Sequence, residues 1–450
     1  MSQTFVYRQR RGAELWLLLL ALVVGIGAYV AVGLGRDGSV PPNTLVYAGW
    51  LAVLVLAAHV TIRFTAPYAD PVLLPVVSAL NGLGLAMIHR IDLARGADLA
   101  RSQLIWTSLG IALFIAVLIF LRDHRRLQAF TYTSGLAAVV LLLLPLLPGL
   151  GANINGARIW IRLFGLSFQP GEIAKVLLVI AFAGYLVVHR DALALAGRRV
   201  LFIDFPRGRD LGPIMAMWLI SLGVLVFQRD LGTSLLFFGM FVVMLYVATE
   251  RPGWLVVGTS LFAFGATLGY YFVARVGTRV SDWLNPFPVG DDGASQLVQG
   301  LYGMGWGGLT GRGLGQGSPY LTPLSWSDFI FTSIGEELGL TGAMAVVLLY
   351  GLIVERSLRT ALVCRDGFGK LIAAGFGIVF ALQVFVVIGG VTRLIPLTGL
   401  TTPFLSQGGS SLVANWIIIG LLLRVSDHAR RPPPELLGDD TDKTQVVVLR

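Results

Sequence analysis

Two adjacent carboxylates, Asp291 and Asp292, stand between glycines in the stretch 276–328, which separates two long apolar runs. Adjacent carboxylates can act as a general base or hold a divalent cation. The same pattern is also typical of an ordinary Asp-Gly turn. Gln296 and Gln299 follow, three residues apart, at the start of a predicted short helix. Because long connections in compact proteins are usually functional or disordered, we expect a site in this stretch.

A second polar group lies at the start of an apolar run. Glu172 and Lys175 are three residues apart, so they share one face of a helix that Pro170 is suited to begin. Ionisable groups inside an apolar span are costly and by default functional, although a buried pair that only locks two helices fits the same pattern. Arg158 and Trp160, which precede this helix, are typical of an element on a membrane surface.

A third group lies in the segment 390–411, which is rich in proline and glycine between two apolar runs. Such backbone at membrane depth needs protein or water around it, so a re-entrant segment that lines a cavity is predicted. Arg393 is suited to bind a pyrophosphate or a carboxylate. Ser406 and Gln407 follow it in the same segment.

Some polar residues have an open interpretation. Asp230 either caps the helix that follows it or belongs to a polar cavity. Glu336 and Glu337 lie inside an apolar helix and point in different directions, so at least one is expected to face protein or water. The histidines have no spacing typical of a metal site, and they are His59, His89, His124, His189 and His428.

The composition is that of a membrane protein. The 450 residues are 55% hydrophobic and 13% charged, where a soluble domain carries about a quarter charged residues. Apolar runs of about twenty residues predict an all-α polytopic protein and exclude a barrel. The net charge of +9 is attributed to loop arginines rather than to nucleic-acid binding. The single cysteine, Cys364, excludes an internal disulfide framework, and no nucleotide-binding loop is present.

Twelve spans are predicted, and an excess of arginine and lysine puts both termini inside. The loop between the third and fourth spans is an exception, because it carries Arg90, Arg95 and Arg101 on the outer side. The predicted division is a cytoplasmic N-terminus (1–13), a membrane domain (14–425) with an external loop at about 276–328, and a disordered cytoplasmic tail (426–450). The predicted spans are 14–34, 44–62, 71–88, 103–121, 129–149, 170–189, 211–227, 232–249, 253–275, 329–355, 369–390 and 411–425.

Five sequence blocks in order resemble the shape, elongation, division and sporulation (SEDS) family, the RodA/FtsW group. They are NGARIWI with QPGEIAK, QRDLGTS, GLGQGSPYLTP with SDFIF, GEELGLTG, and GVTRLIPLTGLTTPFLSQGGSS. The resemblance implies a peptidoglycan glycosyltransferase of the bacterial cytoplasmic membrane that polymerises lipid II into a nascent glycan strand. It implies a class B penicillin-binding protein and membrane lipid as partners, and no nucleic acid. The family core has ten spans, so the two additional N-terminal spans are similar to the actinobacterial RodA type.

The resemblance also implies roles for residues. A carboxylate of the external loop, Asp291 or Asp292, would be the general base on the acceptor sugar. Basic side chains, and a divalent cation such as Mg or Mn, would stabilise the leaving pyrophosphate, while the polyprenyl chain lies in a lipid-facing groove. One departure stands out, since a gapless match of the family motif puts Val289 where the family has its aspartate. The implied substrate-binding residues are Arg158, Trp160, Glu172, Lys175, Gln296, Gln299, Arg393, Ser406 and Gln407.

Two other functions fit the same features. One is a flippase that moves the lipid-linked precursor across the membrane, and the other is a non-catalytic scaffold for a penicillin-binding protein. A flippase needs a hydrophilic path through the bilayer, whereas the charged groups here collect on one side, which favours the enzyme. A role in cell elongation and a role in division both remain open, and the number of spans favours elongation.

Overall fold

A computed structural model describes residues 9–154, 157–163, 166–194, 198–200, 203–205, 208–228, 230–287 and 296–432. Within these ranges the chain is mostly helical, as predicted, with two small antiparallel sheets. The α-helices are α1 (Arg11–Asp37), α2 (Thr44–Thr65), α3 (Leu73–Arg95), α4 (Leu99–Phe120), α5 (Thr131–Leu143), α6 (Pro170–Ala194), α7 (Gly208–Phe227), α8 (Leu231–Thr249), α9 (Gly253–Phe272), α10 (Ala274–Leu284), α11 (Gln296–Gly307), α12 (Ile330–Val363), α13 (Gly367–Val391) and α14 (Gly409–Arg430).

The membrane spans agree with the predicted ones to within a few residues at most ends. Eleven helices of the described chain are long and apolar enough to cross a membrane. The seventh predicted span corresponds to α7, whose apolar part Gly212–Phe227 is shorter than the other spans. Helix α14 continues to Arg430, so the first residues of the predicted tail are helical, and residues 433–450 lie outside the described ranges.

The two ends of the described chain lie on one side of the helix bundle. At the start of α1, the Arg11 guanidinium donates to the carbonyl of Ala69, and the Asp70 carboxylate pairs with Arg430 of α14 at 2.6 Å. We call this side the terminal face. The opposite side, which carries α10, α11 and the segment before α12, is called the loop face.

Strands occur where the sequence predicted only loops. Strands β1 (Gly151–Ile154), β2 (Ala157–Leu163) and β3 (Leu166–Phe168) form an antiparallel sheet, and β4 (Arg198–Val200) pairs with β5 (Ile203–Phe205). On β2, Ala157 and Ile161 are buried against the protein. Since side chains alternate along a strand, the opposite surface of the sheet carries Arg158, Trp160 and Arg162.

The predicted external loop contains two helices instead of a structureless connection. Helix α11 lies beside the first half of α12, where Gly300 contacts Phe329, and Gly307 contacts the backbone of Glu336. The chain then returns through residues 308–329 to begin α12. Close contact between α11 and α12 requires small residues, because a Cβ atom on Gly307 would lie 2.1 Å from the Gly335 carbonyl oxygen.

Helix α12 is broken at Gly339, and the returning chain fills the break. Gly339 has φ 69° and ψ −171°, a conformation essentially restricted to glycine. Beyond the break, Leu340 and Thr341 donate their backbone N–H groups to the carbonyls of Gly308 and Leu309 at 2.9 and 3.1 Å. These bonds hold the return segment against α12 through the backbone itself.

The carbonyls before the break also find partners in the return segment. The N–H groups of Arg312 and Gly313 donate to the carbonyls of Glu336 and Glu337 at 3.1 and 2.9 Å. A Cβ atom at Gly311, where φ is 82°, would lie 2.2 Å from the Glu337 carbonyl oxygen. Among the dense glycines between 300 and 317, Gly307, Gly311 and Gly315 therefore serve close backbone approach.

A buried ion pair joins the return segment and α12 to α3. The Arg90 guanidinium donates to Glu337 at 2.9 Å and to the Gly317 carbonyl at 2.6 Å. Glu337 also accepts from the Gly315 N–H at 2.9 Å, and both Glu336 and Glu337 are buried, which confirms that at least one faces protein. Arg95 donates to the Tyr320 carbonyl at 2.8 Å. Arg90 and Arg95, two of the three arginines predicted on the outer side against the general charge distribution, thus bind residues of the loop face.

We expect Gly339→Ala to lower the free energy of unfolding by about 3 kcal/mol or more, because alanine is strained in this conformation and its Cβ would overlap the Gly311 nitrogen. Thermal unfolding of the purified protein measures the change. Gly351→Ala is the matched control on the same helix, since no atom of the described residues lies within 4 Å of a Cβ there. Equal stability of the two variants would contradict the proposed role of the break.

Candidate active site on the loop face

The first turns of α6 carry a buried ion pair that reaches across to α13. Lys175 donates from Nζ to Glu172 at 2.7 Å and to the Gln383 side-chain carbonyl at 3.0 Å. Lys175 is only 2% exposed and Gln383 only 1%. Gln383 in turn donates to the carbonyl of Thr401 at 2.9 Å. The pair predicted from spacing therefore exists, and it ties α6 to the irregular segment between α13 and α14.

A second pair of charges meets the same segment from the loop side. Arg279 of α10 donates to the Thr398 carbonyl at 2.7 Å. A Cβ atom on Gly399, where φ is 78°, would lie 3.2 Å from the Arg279 guanidinium and 3.6 Å from the Asp328 carboxylate. Gly399 thus lets its backbone pass directly beneath both charged groups.

Asp230 completes the group of charges and has the capping role that the sequence suggested. Its carboxylate accepts from the Thr233 N–H at 3.0 Å, at the start of α8. Burial raises its pKa, while the bonds from Thr233 oppose the rise, and Glu172 and Arg279 act on it through their charges. Asp230 therefore lies within the electrostatic reach of both pairs, so its two possible roles are compatible.

Partial removal of water shifts the pKa values of Asp328 and Arg279. Burial raises the pKa of Asp328 to about 6, and the Ser327 side chain and the Arg279 charge limit the rise. Burial also lowers the pKa of Arg279, helped by the nearby Arg275, and the charges of Asp328 and Asp230 oppose that change. Arg279 and Asp328 are thus partly desolvated neighbours that act on each other through their charges.

Arg393 lies apart from these charges and has structural partners. Its guanidinium donates to the carbonyls of Trp283 and Leu284 at 2.9 and 3.1 Å, and the Trp283 indole donates back to the Arg393 carbonyl at 3.0 Å. These bonds fasten the end of α10 to the segment after α13. Arg393 remains exposed, so a pyrophosphate contact is still sterically accessible.

Ser406 and Gln407 hold the same segment to the loop face. The Ser406 hydroxyl donates to the Ser327 carbonyl at 2.6 Å and accepts from the Thr402 N–H. The Gln407 N–H donates to the Trp326 carbonyl at 2.8 Å. The irregular segment is therefore ordered by protein, as expected of a segment that lines a cavity.

Arg158 and Trp160 lie on the exposed side of the sheet formed by β1, β2 and β3. The Arg158 side chain is exposed, and its backbone N–H donates to the Gln228 carbonyl at 3.3 Å, beside Asp230. Arg162 belongs to the same surface and was missed in the sequence. A basic and aromatic surface thus borders the group of charges.

The remaining predicted residues belong to the connection between α10 and α11. Gln296 and Gln299 lie in the first turns of α11, which confirms the predicted short helix. The Gln299 side-chain carbonyl is buried and has no hydrogen-bond partner among the described residues. Asp291, Asp292 and Val289 lie outside the described ranges.

Two residues of the site, Arg279 and Gln383, were not predicted to take part, and Asp328 was noted in the sequence only as part of the SDFIF block. Each lies far along the chain from its partners, so no local spacing reveals the contact. Arg275 and Arg279 are four residues apart on a helix with apolar residues on its other side, and that pattern was the available signal.

We expect Lys175→Met to destabilise the protein by about 3–5 kcal/mol, because it leaves Glu172 charged and buried without a partner. The double variant Glu172→Gln with Lys175→Met is expected to regain most of this stability. Thermal unfolding of the two single variants and the double variant measures the coupling. Additive losses in the double variant would mean that the pair contributes no interaction energy.

The comparisons with known proteins agree on one family. A model described as a cell cycle protein, covering FtsW, RodA and SpoVE, matches residues 71–431. Peptidoglycan glycosyltransferase RodA of Mycobacterium tuberculosis is 48% identical over 430 residues, which cover 94% of this chain and 92% of that protein. A probable peptidoglycan glycosyltransferase FtsW of Geobacter metallireducens is 32% identical over 376 residues, covering 81% of this chain and 96% of that protein.

Solved structures agree with the sequences. A mutant of the rod shape determining protein RodA from Thermus thermophilus matches with a TM-score of 0.58 at 29% identity, covering 80% of this chain and 97% of that chain. A chain of a peptidoglycan synthase complex matches with a TM-score of 0.57 at 29% identity, covering 86% of this chain and 97% of that chain. The match to the family model begins after α2, which agrees with two additional spans before a ten-span core. This chain belongs to the FtsW/RodA/SpoVE family, as its five motifs predicted.

Proposed function

We propose that this chain, a peptidoglycan glycosyltransferase, polymerises lipid II into glycan strands at its loop face. The observation that carries this assignment is the meeting of the Glu172–Lys175 pair with the charges of Arg279 and Asp328 around the segment 398–401. These groups bring α6, α10, α13 and the segment before α12 to one polar site beside an exposed basic surface. Lipid-linked sugars carry a pyrophosphate that such a surface suits.

The reaction needs a base at the acceptor sugar, and we propose Asp291 or Asp292 for it. The carboxylate takes the proton of the acceptor 4-hydroxyl while that oxygen attacks C1 of the donor sugar. The C1 bond to the pyrophosphate breaks on the opposite side, which inverts C1 and releases undecaprenyl pyrophosphate. A positioned base supplies about 10²–10⁴-fold in rate.

Cationic side chains would stabilise the charge that develops on the leaving pyrophosphate. We propose Arg158 for direct contact, because it is exposed, and Arg393 at the other edge of the site. Lys175 is buried and paired with Glu172, so its charge would act through the polar network. Trp160, Gln296 and Gln299 would contact the sugars, while Ser406 and Gln407 keep the segment beneath them in place.

A divalent cation does not fit the described carboxylates of the candidate active site. Glu172 binds Lys175, Asp230 caps α8 and Asp328 faces Arg279. The carboxylates of Asp291 and Asp292 are the oxygen donors that we propose for Mg or Mn, which would neutralise phosphate charge when bound.

The proposed orientation puts the loop face outside the cytoplasmic membrane and the terminal face inside. The distribution of arginine and lysine supports it. The exceptional Arg90 and Arg95 are engaged by Glu337 and by the Tyr320 carbonyl. The 48% identity to a RodA protein favours a role in cell elongation over one in division.

A class B penicillin-binding protein is the proposed partner, and a groove between α12 and α13 suits its single membrane helix. The groove has a volume of about 760 Å³ and extends from Glu355 and Arg359 near the terminal face to Thr392 near the loop face. Its walls are mostly apolar, with Leu362 and Phe385 exposed. A cavity along the full thickness of the bundle fits a helix that crosses the membrane.

We expect the double variant Asp291→Asn with Asp292→Asn to lose at least about 100-fold in polymerisation of labelled lipid II, because the base is gone. Of the two single variants, Asp291→Asn and Asp292→Asn, the one that removes the base should lose as much polymerisation as the double variant. Asp282→Asn, on α10 just before this connection, is the control. Unchanged product in the double variant would overturn the site, whereas no product from the unaltered chain, even with its partner, would overturn the proposed function.

Lys175 offers a second readout of the site. In the Glu172→Gln, Lys175→Met variant, stability is expected to return while polymerisation stays at least about 10-fold reduced, because the apolar side chain cannot supply charge near the pyrophosphate. Recovery of both stability and polymerisation would make the pair purely structural.

Gly351→Trp is expected to fill the groove and to abolish copurification with the class B penicillin-binding protein. The space beside Gly351 is open, so the fold should tolerate the change. Gly27→Trp on α1 is the control, since it is equally open. Retained copurification would exclude the groove as the docking place, and loss of polymerisation by the isolated chain would assign it to the polyprenyl chain instead.

A further inference from the structure

The terminal face carries a cluster of metal-type side chains far from the proposed site. Asp123 and His124 precede α5, and His428 lies in the last turn of α14. One ligand atom from each of these residues lies within 4.8 Å of the others. The two imidazole rings have centroids 5.2 Å apart, although the residues are 304 positions apart in the sequence.

Asp366 fixes the tautomer of His124. The Nε2 atom of His124 lies 3.1 Å from both oxygens of the Asp366 carboxylate. An ionised carboxylate only accepts hydrogen bonds, so Nε2 carries a proton. In the neutral imidazole, Nδ1 is then the nitrogen with the lone pair. A carboxylate behind a histidine is the usual way to orient a metal-binding imidazole.

The Nδ1 atom of His124 is buried and has no hydrogen-bond partner among the described residues. The Asp123 carboxylate lies 3.8 Å from it. Buried polar atoms are nearly always hydrogen-bonded. An unpartnered buried nitrogen beside a carboxylate and a second imidazole therefore requires an explanation.

His428 offers a second lone pair at the same place. Its Nε2 atom lies 2.8 Å from the Arg125 guanidinium. A guanidinium only donates, so His428 Nε2 is an acceptor that is held by a cation. The Arg125 side chain is about half exposed, at 49%, so it can move into solvent when another cation takes its place.

We propose that Asp123, His124 and His428 form a site for a zinc ion, with one coordination position left for water. Two imidazole nitrogens and a carboxylate oxygen are a donor set that suits Zn²⁺. Bound there, the ion would join the segment before α5 to the end of α14, and through Asp366 to the start of α13. The site would serve stability or regulation on the terminal face, and it does not depend on the proposed function.

A competing donor set shares His124 but fits less well. His124, Cys364 and Asp366 also lie within 4.8 Å of one another. However, the Cys364 thiol donates to Asp366 at 3.3 Å and so keeps its proton. Asp366 is further engaged as the cap of α13, where it accepts from the Gly369 N–H at 2.6 Å.

Binding of Zn²⁺ to the full-length protein, purified with a chelator and titrated against a chromophoric competitor, tests the site. We expect one zinc ion per chain, and at least about 10-fold weaker binding in His428→Gln and in Asp123→Asn. Both side chains are partly exposed, so these variants should fold. The controls are His189→Gln and Cys364→Ser, which should bind zinc as the unaltered protein does.

Two further readouts separate the possibilities. Zinc should raise the unfolding temperature of the unaltered protein and of the controls, but not of His428→Gln. The Co²⁺ form should lack a thiolate-to-metal absorption band. A thiolate band would overturn the donor set in favour of Cys364, and zinc binding that is absent or equal in all variants would overturn the site itself.

Discussion

The exchange of backbone hydrogen bonds at Gly339 is the constraint on which the loop face depends. A break inside a membrane helix frees N–H and C=O groups that must find partners within the protein. Here Gly308 and Leu309 accept from the N–H groups beyond the break, and Arg312 and Gly313 donate to the carbonyls before it. The return segment is thereby held in one register, because a shift by one residue would leave buried backbone groups unpaired.

That register positions the polar site. Asp328 stands two residues before α12, and Trp326 and Ser327 accept the bonds that hold Gln407 and Ser406. The segment beneath Arg279 is therefore fixed from two sides, by the return segment and by Gln383. Because Glu172 and Lys175 are buried together, removing either partner would cost several kcal/mol. A rigid support for these charges follows from the break in α12.

Features that repeat within a few residues could be read from the sequence. The spans, the Glu172–Lys175 pair, the cap by Asp230 and the start of α11 all follow from local period or spacing. Contacts between distant parts of the chain could not, and these include Arg279 with Asp328 and His124 with His428. Nor does a sequence reveal that backbone carbonyls already engage a cation such as Arg393. Such contacts depend on which helices become neighbours, and hydropathy does not determine that.

The contacts of each carboxylate decide which one suits the role of general base. Burial raises the pKa of Asp328 to about 6, which suits a general base, yet its carboxylate lies close to Arg279 and to the backbone of Gly399. A base must reach the proton that it removes, and a carboxylate engaged in this way is better suited to hold the segment. Val289 has no group that can accept a proton. The carboxylates nearest to it along the chain are Asp291 and Asp292, so we propose one of these as the base. The reaction depends on the position that a carboxylate oxygen can reach, and not on the number of residues between that carboxylate and Pro286. The end of α10 and the start of α11 are both held by contacts, which limits this reach from both sides.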